Sequence, residues 1–288
     1  MGDSPPLSAA PFPEESPAAP MCTLVILRRP WHPWPVILAA IRDDMIYRPW
    51  APPGRHWPDR PEVVAGLDRT GGGSWLGLND HGVVAAILNR RGSLGPEPGK
   101  RSRGELVLEA LDHADALAAA EALAELNPGA YRSFNMVVAD NRDAYWLRNL
   151  GAPDSKVIEV TPIPPGLSML TAYDLNDPAS ARIARHKADF AAAEPPAPDT
   201  DVPTGGDWAA WQAILARSDA PGEAGSEAAM TVERGGFQTV CSSLLALPAP
   251  PQPGPEAAAR PVWLFAPGRP DRHPYSPLEV LAGPAEPQ

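Results

Sequence analysis

Short runs of hydrophobic residues along the chain predict β-strands joined in hairpins. One run covers residues 23–27, and a second, at 36–41, ends in a group of charged residues. The segment between them is rich in Pro and turn residues, so the two runs are expected to pair as an antiparallel hairpin. Further strands are predicted at 63–66, 74–78, 83–88, 134–139, 144–148, 156–160, 167–171, 239–247 and 261–265. Continuous apolar runs, rather than alternating ones, indicate sheets covered on both faces.

Three segments are expected to be helical. The first begins at Ser102, where Ser102 and Glu105 fit a capping box, and is predicted to continue to about Leu126. The other two are predicted at 179–193 and 207–217. Strands in hairpins, with helices grouped between them, favour an α+β fold with antiparallel sheets over a Rossmann-like alternation.

The charge and the hydrophobic pattern of the chain indicate which kinds of molecule it is expected to bind. The net charge of −11 argues against a face that neutralises nucleic-acid phosphates. Two basic runs, 90–91 and 100–103, are short, and we expect them to be solvated surface. No apolar run reaches membrane-spanning length. The expected partner is therefore a small-molecule substrate or ligand.

The Pro- and Ala-rich residues 1–20 are predicted to be a disordered extension of a single domain covering 21–280. Two explanations of the extension stay open: a start codon placed too early, with Met21 as the true initiator, or a removable pro-segment. The distinction matters because a nucleophile that uses its own amine must be the first residue of the chain.

The cysteine and histidine content predicts neither disulfides nor a metal site. Cys22 and Cys241 are too few for a disulfide framework. Because no secretory signal is visible, both thiols are expected to be reduced in a cytoplasmic protein. The six histidines show no ligand-pair spacing, so no metal is predicted.

The first hairpin carries the candidate chemistry. Pairing of the two strands would bring Arg42 and Asp43 close to Cys22. A thiol beside an arginine and a carboxylate, on rigid strand ends, is a plausible nucleophile. The alternative is that Cys22 is a small buried hydrophobe on a strand.

Several motifs resemble the NRDE family, also called the transport and Golgi organisation family. The resemblance covers roughly residues 21–265 and rests on Met-Cys-Thr at 21–23, Ile-Arg-Asp-Asp at 41–44, and the segments 72–77, 79–92, 103–106 and 166–168. It implies the N-terminal-nucleophile hydrolase fold, a four-layer αββα sandwich of two antiparallel sheets between helical layers. Pattern alone does not predict four layers.

The same resemblance implies an amidase mechanism. Loss of the initiator Met would expose Cys22, whose α-amine, titrating near ~7.7–8, would accept the thiol proton. Asp43 would hydrogen-bond that amine, and Arg42 would favour the thiolate or a substrate carboxylate. Asn89 would match the oxyanion-hole position.

Four departures from the family pattern fall at this site. The family's Asn and Glu are replaced by Ile41 and Asp44, a candidate oxyanion donor by Met169, and a late arginine by Val240. A degenerate or repurposed pocket therefore stays an alternative.

Three further residues are candidates for substrate binding. Trp57 lies in a predicted irregular loop, 48–61, that could cover one side of the site. Ser168 belongs to the family's Gly-Leu-Ser segment, and Asn176 could supply the missing oxyanion donor if its loop folds back.

Three functions follow as hypotheses. The first is a cysteine amidohydrolase acting on the C–N bond of a small acylated compound, with no cofactor. The second is a carrier of haem or of an acyl-lipid or acyl-CoA on the same fold, to which the resemblance also points, with His32 or Cys22 as an axial haem ligand. The third is an interaction protein, for which the Pro-rich edges are the only sign.

Overall fold

The chain folds into two antiparallel β-sheets that stack face to face, each covered on its outer side by helices. This computed structural model describes residues 22–151, 155–218, 227–250 and 259–281. The predicted N-terminal extension, Met21 and part of the segment following the last helix lie outside the described residues.

The elements follow one another in groups of strands interrupted by pairs of helices. The strands are β1 (Thr23–Arg28), β2 (Val36–Met45), β3 (Trp50–Gly54), β4 (Val63–Asp68), β5 (Leu76–Asn79), β6 (Val84–Asn89), β7 (Phe134–Ala139), β8 (Ala144–Asn149), β9 (Glu159–Pro162), β10 (Gly166–Leu170), β11 (Ala197–Pro198), β12 (Gly206–Asp207), β13 (Glu233–Arg234), β14 (Phe237–Leu247), β15 (Val262–Ala266) and β16 (Ser276–Pro277). The helices are α1 (Gly104–Leu111), α2 (Ala116–Ala124), α3 (Ala181–Ala192) and α4 (Ala209–Leu215), with short 3₁₀ turns at Pro128–Ala130 and Glu279–Leu281.

The first sheet has the strand order β10–β1–β2–β14–β15–β16, and β13 pairs with β14 at its side. The predicted hairpin of β1 and β2 is confirmed, with Thr23 opposite Ile41. On its other side β2 pairs with β14 along most of its length. The strands β1 and β2, which position Cys22, Arg42 and Asp43, are therefore interior strands, held by neighbours on both sides.

The second sheet is a meander in chain order, β3–β4–β5–β6–β7–β8–β9, with every described pair antiparallel. The predicted hairpin of β7 and β8 is confirmed. Short connections explain this order, because antiparallel neighbours need only a few residues of turn between them.

Three apolar layers separate the two sheets and the helices. Alternate residues of β1 divide between two of them: Leu24 and Ile26 face the second sheet, and Val25 faces α3 and α4. The third layer packs α1 and α2 against the outer face of the second sheet. The order helix, sheet, sheet, helix confirms the predicted four-layer αββα sandwich.

The single long helix predicted from Ser102 to Leu126 is wrong, because the structure has two helices there. The side-chain amide of Asn79 donates to the carbonyl oxygens of Leu111 and His113, at 2.8 and 2.7 Å, and so satisfies the end of α1. Asp115 then begins α2 by accepting a hydrogen bond from the backbone N of Ala118 at 2.8 Å. A side chain from a distant strand decides this break, and helical periodicity does not reveal it.

The predicted capping box is also wrong. Ser102 does not cap α1 through Glu105; the N-cap is Arg103, which makes no side-chain cap hydrogen bond. The Glu105 carboxylate instead accepts from the Tyr131 hydroxyl at 2.7 Å and pairs with Arg101 at 2.6 Å. The Ser102 hydroxyl accepts a hydrogen bond from the backbone N of Gly104 at 3.3 Å instead.

Residues 48–61 are not wholly irregular, because β3 forms the edge of the second sheet. Its pairing with β4 is interrupted between Ala51 and Gly54, where two prolines cannot donate to the ladder. Proline is tolerated on such an edge, and a proline-rich segment carries little of the pattern that predicts a strand. Among the described residues, no helix is long and apolar enough to span a membrane.

Candidate functional site

Cys22 directly precedes β1, and its side chain lies at the boundary of the layer between the sheets. The Cys22 Sγ donates to the backbone carbonyl oxygen of Asp43 at 3.6 Å. The hairpin pairing produces this contact, as predicted: with Thr23 opposite Ile41, the end of β2 runs past the start of β1. Both cysteines are free thiols.

Asp43 carries its carboxylate on the other face of the sheet, toward α3. Its Oδ2 lies 2.8 Å from Nη2 of Arg182, and both side chains are buried. Its Oδ1 accepts from the Thr239 hydroxyl at 2.6 Å. Arg182 also donates to the Thr23 hydroxyl at 2.9 Å and to the Ala229 carbonyl at 2.7 Å. One buried guanidinium therefore ties the residue after Cys22 to the Asp43 carboxylate.

A bulge in β14 places Thr239 opposite Asp43. The register with β2 shifts between Thr239 and Cys241, so the extra residue is Val240. Val240 is the position where the family pattern has its late arginine. The sequence could not identify Arg182 as a buried partner of Asp43, because it lies on an amphipathic helix more than 130 residues after β2 and resembles an ordinary surface charge there.

Arg42 faces the layer between the sheets, as alternation along β2 requires. Its guanidinium lies 4.1 Å from the centre of the Trp75 ring, and its Nη2 donates to the Asp44 carboxylate at 2.6 Å. Its Nη1 is buried without a hydrogen-bond partner among the described residues. Arg42 therefore keeps an unused cationic donor beside Cys22.

The acidic partner of Arg42 belongs to a chain of ion pairs at the edge of the site. Asp44 also approaches Arg48 at 3.6 Å, and Arg48 pairs with Asp68 at 2.6 Å. The Arg48 guanidinium holds the pKa of Asp68 below its ordinary value even though burial opposes this. Asp44, which stands where the family pattern has Glu, therefore lies between two arginines.

Two glycines allow close contacts around Trp75: one beneath its ring and one between two neighbouring backbone segments. A Cβ on Gly66 would lie 2.3 Å from the Trp75 ring, so the ring rests on bare backbone. A Cβ on Gly73 would lie 2.3 Å from the carbonyl carbon of Gly104, where two backbone segments meet. The Ser74 backbone N donates to the Gly104 carbonyl at 3.0 Å across that contact. The motifs at 72–77 and 103–106 are thus in direct contact.

Two spaces meet at Cys22. The larger, called here the cleft, has a volume of about 420 Å³ and lies between the start of β1, the 94–104 loop and the 68–75 turn. Residues that line it include Cys22, Arg42, Asp43, Asp44, Arg48, Asp68, Trp75, Asn89, Glu97, Lys100, Arg101, Ser102, Arg103 and Arg132. The smaller, called here the crevice, has a volume of about 20 Å³ and runs between the sheets, lined mainly by apolar side chains.

Four of the seven predicted site residues border the cleft: Cys22, Arg42, Asp43 and Asn89. Asn89 is the last residue of β6, on the second sheet, so its side chain comes from across the cleft.

The other three predicted residues do not border the cleft or the crevice. Trp57 packs against the α1 layer and donates from Nε1 to the Gly72 carbonyl at 3.1 Å. Ser168 accepts from the Asn176 side-chain amide at 3.2 Å, and Asn176 Oδ1 accepts from the backbone N of Met169 at 2.9 Å. These contacts fix the loop after β10.

Burial makes both thiols weak acids. It raises the pKa of Cys22 to about 11, with the nearby Asp43 carboxylate adding to the effect. Burial also raises the pKa of Cys241 to about 12. With its backbone N bonded to a preceding residue, Cys22 is therefore held as the neutral thiol at neutral pH.

Residues 100–103, which are predicted to be solvated surface, all border the cleft; Arg101 is exposed and the other three are half-buried. Lys100 donates from Nζ to the Gly129 carbonyl at 2.6 Å, and Arg103 donates to the Ser93 hydroxyl at 2.9 Å. A short basic run carries no sequence signal that its loop folds back over a cysteine.

The fold and the site together define a class: an αββα sandwich protein with a cysteine-centred cleft where the two sheets meet. The chain belongs to the Transport and Golgi organisation 2 family, whose sequence model matches residues 21–194.

Two curated relatives carry the same name. The Transport and Golgi organization protein 2 homolog of Bos taurus is 37% identical over 114 residues, which are 36% of this chain and 38% of that protein. The homolog of Homo sapiens is 34% identical over 144 residues, 46% of this chain and 50% of that protein. The chain thus spans half or less of the length of these relatives.

Solved structures with a similar fold have low sequence identity. A Caenorhabditis elegans N-acylethanolamine-hydrolyzing acid amidase ortholog is 13% identical, with a TM-score of 0.48 over 77% of this chain and 92% of that one. Penicillin V acylase from Agrobacterium tumefaciens is 14% identical, with a TM-score of 0.43 over 85% and 83%. A mutant of conjugated bile acid hydrolase from Clostridium perfringens is 12% identical, with a TM-score of 0.47 over 90% and 96%.

Proposed function

We propose that this protein is a cysteine amidohydrolase of the N-terminal-nucleophile type, acting on the C–N bond of a small acylated compound. The observation that carries the proposal is the meeting of three groups at one cleft. Cys22, the buried cation of Arg42 with its unused Nη1 donor, and Asn89 from the opposite sheet all border the same space. A nucleophile, a cation and an amide donor around one cavity suit acyl transfer.

The proposed mechanism begins with removal of the residues before Cys22. The freed α-amine takes the proton from Sγ, and the thiolate attacks the substrate carbonyl carbon. Asn89 stabilises the charge that develops on the carbonyl oxygen. The C–N bond then breaks, and the amine nitrogen leaves with the proton that the α-amine held. Water, activated by the same amine, hydrolyses the thioester and returns the free thiol.

The raised pKa of Cys22 supports the need for that processing step. A thiol with a pKa of about 11 is almost wholly protonated at neutral pH, and it has no histidine among the residues that border the cleft. The unprocessed chain therefore lacks a base for this thiol, and the α-amine of Cys22, once freed, would supply one. As an ammonium ion it would also favour the thiolate by direct charge interaction.

Asp43 is proposed to hold the amine, with Arg182 as its support. Each Asp43 carboxylate oxygen already has one partner, Thr239 or Arg182, and retains lone-pair capacity for the amine. In this chain Val240 stands where the family pattern has its late arginine. Arg182 would take over the positioning role by fixing the groups around the nucleophile from a buried position.

Intact-mass measurement on the protein from its native host tests the first step. The expected mass is that of a chain that begins at Cys22. Amide hydrolysis should then be abolished in Cys22→Ala and strongly reduced in Cys22→Ser. A mature chain that retains residue 21 would lack the base, and the proposal would fail.

The alternative is a carrier that binds without turnover, and the neutral Cys22 thiol of the unprocessed chain is the observation that favours it. A haem ligand set does not fit. His32 lies in the turn of the first hairpin, away from the cleft, and its Nδ1 accepts from the backbone N of Trp34 at 3.0 Å. The protonated Cys22 is a poor axial ligand, because the thiolate is the form that binds metal. A haem titration without a Soret shift is the expected result.

A further inference from the structure

The two spaces at Cys22 differ in size and in chemistry. An acyl amide held with its carbonyl carbon at Sγ has two ends, and each needs its own space. Among the residues that the structure describes, the crevice and the cleft are two spaces that Cys22 borders.

The crevice is small and apolar. Its volume of about 20 Å³ is close to the ~10–15 Å³ that one water-sized group needs. Its walls belong to the packed layer between the sheets, including the side chains of Leu24, Leu76 and Leu88. A methyl or ethyl group fits this space, whereas a long hydrocarbon chain would have to displace core residues.

The cleft is large and carries an excess of positive charge in a chain of net charge −11. Six cationic side chains and four carboxylates border it. Among the acids, Asp44 and Asp68 pair with Arg42 and Arg48, and Glu97 pairs with Arg132 at 3.4 Å.

The other charged side chains on the cleft wall described next have no oppositely charged partner among the residues that line the cleft. Asp43 is matched by Arg182 from the helix layer, and Arg101 by Glu105 at 2.6 Å. Lys100 has no carboxylate partner among the described residues; its ammonium donates to the neutral Gly129 carbonyl. Lys100 is therefore a half-buried cation on the cleft wall whose charge is available to a ligand.

We infer, on the basis of the proposed amidohydrolase function, that the substrate is a short-chain acyl amide whose amine part carries a carboxylate or a phosphate. The short acyl group occupies the crevice. The anionic group lies in the cleft at Lys100, which binds it by charge and determines specificity without taking part in bond breaking.

Five probes distinguish the acyl group from the anionic group. N-acetylglycine and N-octanoylglycine differ in acyl length, and N-acetylethanolamine and N-octanoylethanolamine are their neutral counterparts. N-acetyl-O-phosphoethanolamine replaces the carboxylate by a phosphate. Titration calorimetry on the full chain with Cys22→Ala measures binding without turnover.

The short anionic probes are expected to bind at least about tenfold more tightly than either the neutral or the octanoyl compounds, a free-energy difference that one well-placed charge supplies. Tighter binding of the glycine or of the phosphoethanolamine compound identifies which anion the site prefers. Tighter binding of the octanoyl or neutral compounds would overturn the inference.

Lys100→Gln tests the residue, because glutamine keeps an N–H for the Gly129 carbonyl and loses the charge. It should remove the preference for the anionic probes and leave the affinity for N-acetylethanolamine unchanged. Lys156→Gln makes the same charge change at an exposed position outside the cleft and should have no effect. An unchanged anion preference in Lys100→Gln would refute the assignment.

Turnover by the processed wild-type protein is measured separately, as release of glycine or phosphoethanolamine. Binding preference without turnover would contradict the proposed hydrolysis and leave the ligand assignment intact. Hydrolysis confined to long or neutral amides would uphold the hydrolase and overturn the substrate class.

Discussion

A single thiol illustrates how its surroundings decide its reactivity. Cys22 lies at the edge of an apolar layer and beside the Asp43 carboxylate, and both disfavour the thiolate. The favourable charge nearby, Arg42, has a smaller effect than burial. Under the proposed function, activation therefore depends on a charge that is added at the residue itself, which a free α-amine would provide.

Alkylation of Cys22 should reveal this pKa. In a chain that retains residue 21, the rate with iodoacetamide is expected to rise about tenfold per pH unit from pH 7 and to level off near pH 11. Intact mass after timed quenching, in a Cys241→Ala background, gives the rate. A plateau below pH 9 would contradict the assignment, and a chain beginning at Cys22 should level off at lower pH.

The same raised pKa links stability to pH. The Cys22 thiol titrates ordinarily near 9 and in the folded chain near 11, so the folded state holds its proton more tightly. The stabilisation is complete below pH 9 and is lost as pH rises from 9 to 11. Urea unfolding of Cys22→Ala, which lacks the group, should show a smaller decline over this interval than the wild type.

Arg182 should matter to stability far more than its position on a helix suggests. Arg182→Met leaves the Asp43 charge buried without its partner, which is expected to cost about 3–5 kcal/mol of unfolding free energy. Arg185→Met, an exposed arginine of the same helix, should change it by less than about 0.5 kcal/mol. Chemical denaturation measures both.

Asp43 carries the charge that Arg182 offsets, so a double variant separates charge from packing. Combining Arg182→Met with Asp43→Asn should recover part of the loss, since the buried charge is then gone. Equal losses in the single and double variants would mean that packing, and not charge, is the cause.

Among the elements, β4, the residue before β5 and β2 are linked by one stack of groups. Gly66 supports the Trp75 ring, and the ring supports the Arg42 guanidinium. The position of the Arg42 side chain beside Cys22 thus depends on Gly66 of the neighbouring sheet having no side chain. Such a link between sheets stays hidden until the register of both strands is known.

Gly66→Ala should break that stack. A Cβ 2.3 Å from Trp75 Cζ2 and Cη2 must push the ring aside, at an expected cost of about 1–3 kcal/mol of stability. Tryptophan fluorescence and thermal unfolding report the change. Adding Trp75→Phe removes the two clashing atoms and should restore most of the loss; no recovery would indicate backbone strain instead.

Local sequence was sufficient for hairpins and insufficient for features set by distant partners. The β1–β2 and β7–β8 hairpins follow from apolar runs and turns, and the first of them brings Arg42 and Asp43 to Cys22. The break between α1 and α2 depends on Asn79, which lies more than 30 residues earlier. The burial of Arg182 beside Asp43 and the position of Lys100 on the cleft wall likewise require the tertiary structure.

At the scale of the whole molecule, the layer between the sheets supports both the fold and the site. Leu24, Leu78 and Trp263 belong to this layer and are almost fully buried, and Cys22 lies at its margin. Any loosening of the sheet-to-sheet contact therefore also widens the crevice.

Leu78→Ala should weaken this contact. Truncation of a side chain only 1% exposed, between the two sheets, is expected to cost about 2–5 kcal/mol. Leu117→Ala, on α2 and 47% exposed, is the matched control and should cost less than about 1 kcal/mol. Comparable losses in urea unfolding would show that the inter-sheet layer is less tightly packed than described.

The pairing of β2 with β14 has a consequence for the growing polypeptide on the ribosome. The Ser242 hydroxyl donates to the Ala40 carbonyl across 202 residues of sequence. At about 5–20 residues per second, the strand that completes the site emerges roughly 10–40 s after the hairpin that carries Cys22. Throughout that interval Cys22 and the open edge of β2 are exposed together, so a chaperone that holds the N-terminal hairpin would protect the thiol from oxidation and the strand from aggregation at once.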